Sequence, residues 1–165
     1  MLIVRRKCTS SRPVDVTVVL TFGERQQTRL RSTTTTGEEI GFVLPRGTAL
    51  LGGDRFEADD GRVVQVEAAA ESLCEVRAAD PHALARAAYH LGNRHAPVEI
   101  GSGFLRFGHD AVLADLMRHL GLEVRHVAAH FVPESGAYAN HAMAPPHDHG
   151  HRGVIHDHAA PEGPR

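Results

Sequence analysis

Apolar and polar residues alternate through much of the first seventy positions. Val14, Val16, Val18, Leu20 and Phe22 fall on one side of a period-2 pattern, with Asp15, Thr17, Val19 and Thr21 between them. This predicts a strand with one strongly apolar face. A polar strand is expected from Arg25 to Thr34, then a turn at Thr36-Gly37, then a second alternating strand through Ile40, Phe42 and Leu44. Pro45-Arg46-Gly47 and Gly52-Gly53-Asp54 cut the chain into short pieces. Asp59-Asp60-Gly61 signals a hairpin ahead of Val64, Val66 and Ala68. Residues 1–72 therefore read as a small β domain, and its scattered Thr, Arg and Glu form no catalytic constellation.

The rhythm changes after Ala68-Ala69-Ala70-Glu71-Ser72. Leu73 to Arg77 reads as a short strand, and Asp80-Pro81 as an N-cap followed by proline in the first helical turn. Leu84, Ala87, Ala88 and Leu91 recur at helical spacing. Val98–Ile100 and Phe104–Phe107 flank Gly101-Ser102-Gly103, which suits a hairpin. Asp110 can cap a second helix with Leu113, Leu116, Met117 and Leu120 as its stripe and Gly121 as its stop; Val124 to Val132 forms a closing strand. Strand, helix, strand, strand, helix, strand is the ferredoxin-like βαββαβ order. The expected class is α+β, with a small β domain, a ferredoxin-like domain over 73–138 and a tail over 139–165. That tail is mostly Ala, Pro, Gly, His and Asp, too poor in large apolar side chains to offset the cost of ordering, so it is expected to be disordered.

The stretch Tyr89-His90-Leu91-Gly92-Asn93-Arg94-His95-Ala96-Pro97 reads as a helix exit running into a strand. Gly92 is expected to be the left-handed residue that closes the helix, and Pro97 stops it resuming. Arg94 and His95 then sit on a short exposed turn.

A 42% hydrophobic content is enough to bury a core, and a net charge of -2 makes no case for a nucleic-acid or anionic-membrane partner. The N-terminal Met-Leu-Ile-Val-Arg-Arg-Lys lacks the apolar region of a secretion signal, and no apolar run approaches a bilayer span. Cys8 and Cys74 are far apart and outside any C-x-x-C, so free thiols in a reducing compartment are expected. The chain reads as soluble and cytoplasmic.

Histidine alters this bland picture. There are 13, and His141, His147, His149, His151, His156 and His158 lie in the last 25 residues. His147, His149 and His151 stand at i, i+2, i+4, and His156 and His158 repeat the spacing. In an extended chain such residues share one side about 7 Å apart, and a flexible chain can wrap them round one ion. Imidazole suits nickel, copper and zinc. Asp148 and Asp157 can hydrogen-bond a ligating ring from behind. Neutral imidazole is the ligand, so metal is expected to leave as pH falls through about 6. An inert polar tail is the alternative. His95 has two readings: a hydrogen-bonding residue in a turn, or half of a site completed by its mate across a two-fold dimer. His90, His126, His130, His82 and His119 read as surface or partly packed residues. His109 beside Asp110 reads equally as part of a helix cap. There is no H-E-x-x-H of a hydrolytic zinc enzyme.

Tyr-His-Leu-Gly-Asn-Arg-His (89–95) followed by Pro97 resembles the signature of the UreE family of urease accessory proteins. The likeness extends to Leu-Pro-Arg-Gly-Thr (44–48), Gly53-Asp54, Asp60-Gly-Arg-Val-Val, Asp110 through Gly121, Pro133-Glu-Ser-Gly-Ala-Tyr138 and the His-rich tail. The resemblance implies a β domain like a chaperone's peptide-binding module and a ferredoxin-like metal-binding domain. It implies a homodimer that delivers Ni(II) as cargo to apo-urease, alongside the nickel-insertion GTPase and other accessory proteins. It favours His95 as the interface nickel ligand. Some members carry a second His two residues after the position of His109; here Ala111 stands there, which argues against a His-x-His site.

The sequence thus reads as a nickel metallochaperone without turnover, with His95 as the transfer ligand and His147, His149, His151, His156 and His158 as the capture ligands. Zn(II) or Cu(II) is expected to bind the same donors. Its rivals are a nickel or zinc buffer without a client, a metallohydrolase, and a peptide-binding chaperone with an incidental tail.

Overall fold

The computed structural model describes residues 1–8 and 11–134, so the tail histidines at 147, 149, 151, 156 and 158 lie outside the described residues. The described part is α+β, built on two sheets with few helices.

The first sheet collects β1 (Leu2–Lys7), β2 (Val16–Leu20), β3 (Arg29–Thr33), β4 (Glu39–Val43), β5 (Arg55–Ala58) and β6 (Val63–Ala68) in the order β2-β6-β5-β1-β4-β3. The alternation seen in the sequence becomes burial here. Val16, Val18 and Leu20 from β2 meet Ile40 and Phe42 from β4, Phe56 from β5, and Val64 and Val66 from β6 in one core. Phe42 and Phe56 meet edge to face at 5.7 Å between ring centres, a favoured aromatic geometry.

The strand predicted to run through Phe22 stops at Leu20. A one-turn helix, α1 (Phe22–Arg25), follows instead. Thr21 Oγ1 accepts the Glu24 N–H at 3.3 Å while Glu24 Oε2 accepts the Thr21 N–H at 2.8 Å. This reciprocal capping box satisfies two amides that a strand would have paired elsewhere. The expected polar strand is correspondingly shorter, beginning at Arg29.

The second sheet contains β7 (Ala70–Arg77), β8 (Val98–Gly101), β9 (Phe104–Gly108) and β10 (Val124–His130) in the order β10-β7-β9-β8, every neighbour antiparallel. Helix α2 (Pro81–Gly92) joins β7 to β8, and α3 (Ala111–His119) joins β9 to β10. Both cover one face. Ala87 and Leu91 of α2 and Ala114 and Met117 of α3 bury against Cys74, Val76, Val98, Leu105 and Phe107. The predicted stripes are the buried ones because helical period and sheet alternation meet in the same layer.

A small cluster links the sheets. Phe22 and Phe131 pack edge to face at 5.4 Å, and the Phe22 N–H donates to Glu71 at 2.7 Å. Arg25, buried, donates through Nη2 to the Phe131 carbonyl, and its guanidinium lies 5.7 Å from the Phe22 ring. Burial pulls the guanidinium below its ordinary pKa, against the opposing charge of Glu71. No helix among the described residues is long and apolar enough to cross a membrane.

Candidate functional site

Helix α2 aims the site. Asp80 caps it by accepting the His82 N–H at 2.9 Å, with Pro81 in the first turn. At the far end Leu91 is anchored in the core, while Gly92, Asn93, Arg94 and His95 are exposed. Arg94 Nη1 returns to the His90 carbonyl at 3.0 Å, placing a positive charge on the negative end of the helix.

The exit differs from the sequence expectation in one decisive residue. Gly92 is the last residue of the helix and does not have positive φ; His95 does, at 55°. The His95 N–H donates to the Gly92 carbonyl at 2.9 Å, and the Ala96 N–H reaches back to Leu91 at 3.4 Å. That pair of bonds is a Schellman closure with His95 in its left-handed position. Helix α3 ends identically: Gly121 N–H to Arg118 at 2.9 Å, Leu122 N–H to Met117 at 3.1 Å, and Gly121 at φ 82°. One closure is made with glycine, the residue that pays no Cβ penalty, and the other with histidine. Among the described residues His95 is the one non-glycine with positive φ. Backbone strain retained at an exposed imidazole points to use of the ring.

Large exposed apolar side chains flank His95 in the sequence. Tyr89 is 66% exposed and Ile100 55% exposed, although both are large and hydrophobic. Strand β8, which starts three residues after His95, is an edge strand of its sheet. Behind it, an apolar groove of about 400 Å³ runs along Leu84, Ala88, Ile100 and Phe104.

The segment leading out of β10 turns back toward this edge. The Val132 N–H donates to Glu99 Oε2 at 3.2 Å, and the Glu134 N–H donates to the Val98 carbonyl at 2.8 Å. The last described residue is therefore pinned to β8 beside the His95 turn, which no sequence signal foretold.

Elsewhere, Glu75 is buried on the sheet face away from the helices, between Arg77 Nε at 2.6 Å and Arg106 Nε at 2.8 Å. The Arg77 hydrogen bond, with help from Arg106, holds its carboxyl below the ordinary carboxylate range despite burial. Cys8 and Cys74 are free thiols, as the spacing predicted. His126 and His130 are exposed on β10; His109 lies against His126. Among the described residues no three His, Cys, Asp or Glu side chains are gathered to hold a metal ion, and His95 belongs to no such group.

Comparison with known proteins gives the family. The model of the N-terminal domain of the UreE urease accessory protein matches residues 4–69, and that of the C-terminal domain matches residues 71–159. The urease accessory protein UreE of Cupriavidus necator is 53% identical over 134 residues, covering 81% of this chain and 67% of its own length. That of Cupriavidus pinatubonensis is 52% identical over 134 residues, 81% of this chain and 58% of its own. That of Alkalilimnicola ehrlichii is 50% identical over 138 residues, 84% of this chain and 85% of its own. The chain thus spans about two thirds or less of the two Cupriavidus relatives and most of the third.

Proposed function

Because the chain belongs to the UreE family of urease accessory proteins, we propose that it is a cytoplasmic nickel carrier for urease maturation and does no catalysis itself. It captures Ni(II) on the tail histidines and delivers it through His95 to apo-urease, in company with the nickel-insertion GTPase. Two copies associate so that both His95 rings face one ion, with the ferredoxin-like half providing the interface.

The observation that carries the reading is the pairing of a strained, exposed His95 with the nearby root of the tail. One imidazole binds a divalent ion poorly; two, brought together by a two-fold axis, make a site with open positions. The exposed Tyr89 and Ile100, flanking the turn in sequence, supply apolar surface for a second copy. His147 follows Glu134 by 13 residues. That much chain extends to about 45 Å at most, so its length allows a tail imidazole to reach the His95 turn. Release one ligand at a time is then fast, because no donor is locked in place except the pair from His95. The open positions are what a client needs: its own ligands can enter before the carrier's last ligand leaves.

Equilibrium nickel titration of the intact chain tests this. Wild type is expected to show one tight class of half a nickel per chain above a set of weaker sites, and His95→Ala to lose the tight class alone. A tight class unchanged in His95→Ala, with only capacity varying, makes the protein a buffer.

A further inference from the structure

We infer that the outer face of the first sheet, at its β3 side, docks an acidic, extended protein segment with aliphatic residues between its carboxylates. This surface carries no histidine and stands apart from the nickel-delivery reading.

Most cations of the described chain already have a partner. Arg5 pairs with Asp59, Arg6 with Glu57, Lys7 with Asp54, and Arg62 with both Glu38 and Asp60. Arg77 and Arg106 share Glu75. Arg29, Arg31 and Arg46 are exposed and have no partner among the described residues. Arg86, on α2, is the one other described cation in that condition. In a chain whose net charge is -2, three unpaired guanidinium groups therefore fall in one small region.

Strand register explains the grouping. Leu30, Ile40 and Phe42 turn into the core, so Arg29, Arg31, Gly41 and Val43 turn outward. Arg29 stands opposite Val43 and Arg31 opposite Gly41, with Ile3 of β1 on the other side of Gly41. Gly41 has no side chain to hold Ile3 off: a Cβ there would come within 3.2 Å of Ile3 Cδ1. The result is a groove of about 450 Å³ with Ile3 and Val43 as its floor, Arg29 and Arg31 along one wall, and Met1 in its lining. Arg29 also borders a polar hollow of about 760 Å³ that it shares with Arg46. Glu39, opposite Thr33 on the same face, pairs with neither β3 arginine and marks the end of the basic stretch.

The chemistry selects the occupant. Arg29 and Arg31 are two residues apart on one strand, about 7 Å, which is the spacing of alternate side chains in a second extended segment. Each guanidinium can take a carboxylate through two parallel hydrogen bonds, and the apolar floor excludes water from one side of them. The intervening side chains of such a segment fall over Ile3 and Val43. Phe42 is buried beneath the floor, so the groove offers a nucleotide base no ring to stack on.

Fluorescence anisotropy of the labelled peptide Glu-Val-Glu-Val-Glu, titrated with the intact chain in EDTA at about pH 8, tests this with the imidazoles neutral. Binding is expected in wild type, weakening as salt rises from about 50 to 300 mM. Arg29→Gln and Arg31→Gln should each weaken it about three- to fivefold, the size of one exposed charge pair, and Arg86→Gln should leave it unchanged. Val43→Ser, which keeps both charges, should also weaken it, and Glu-Glu-Val-Val-Glu, which lacks the alternation, should bind less well. No wild-type binding below about 1 mM, wild-type affinity with both β3 arginines replaced, or equal affinity for the two peptides overturns the inference. So does tighter binding of oligothymidylate or of phosphatidylserine vesicles that the same two substitutions abolish. Both arginines are exposed, and circular dichroism of each variant separates lost docking from lost fold.

Discussion

Replacing His95 with glycine should make the protein more stable while removing its function. His95 holds φ at 55° in the closure that α3 makes with Gly121. A Cβ in the left-handed region costs roughly 1–2 kcal/mol. Histidine tolerates that region better than most residues, so the lower half of the range applies. Glycine removes the strain but adds roughly 0.5 kcal/mol of unfolded-state entropy. The ring is exposed and its loss forfeits little packing. His95→Gly should therefore stabilise by about 0.5–1 kcal/mol, whereas His95→Ala keeps the Cβ and gains nothing. Urea unfolding followed by circular dichroism, in chelator to exclude metal linkage, gives both values. The midpoint order should be Gly above wild type, and wild type at or above Ala, and thermal unfolding should show a Tm gain of about 1–4 °C for the glycine variant. If His95→Gly unfolds before His95→Ala, the left-handed closure is wrong, and with it the argument that strain is retained there for the imidazole.

Gly92, once freed of the closing role, is the last residue of α2, with nothing within 4 Å of where its Cβ would be. Gly92→Ala should add about 0.5–1 kcal/mol to the urea stability, and a loss would return the left-handed role to Gly92. Glu75 governs part of the acid limb. Its folded pKa is lowered, so its contribution is complete above the ordinary carboxylate value of 4.5 and disappears as pH falls below it. Stability measured from pH 6 down to pH 3 should therefore drop more steeply in wild type than in Glu75→Gln; parallel curves would show that the Arg77 and Arg106 bonds do not shift this group.

What the sequence revealed and what it hid divide along physical lines. The stripe Leu84, Ala87, Ala88, Leu91 and the Asp80 and Asp110 caps were legible because each depends on residues within one turn of one another. The capping box of α1 was equally local: Thr21 and Glu24 three apart were its signal, overridden by the longer alternation through Phe22. Gly92 was the natural closing residue by propensity, but it ends α2 without positive φ, and the left-handed closure falls on His95 three residues later. Contacts between distant segments had no sequence signal. Arg25 reads as one of many polar residues, yet it is buried against the Phe131 carbonyl, 106 residues away. Glu134 on Val98, and Cys74 opposite His126, emerge only when the sheet order β10-β7-β9-β8 is known.

Urease activation in cells at limiting nickel tests the central claim most directly, with wild type, His95→Ala and a chain ending after Tyr138 compared at equal protein level. The account predicts loss of active urease with His95→Ala and a milder defect, restored by added nickel, with the shortened chain. Wild-type activation by His95→Ala, together with a shortened chain that merely binds less nickel, would contradict it.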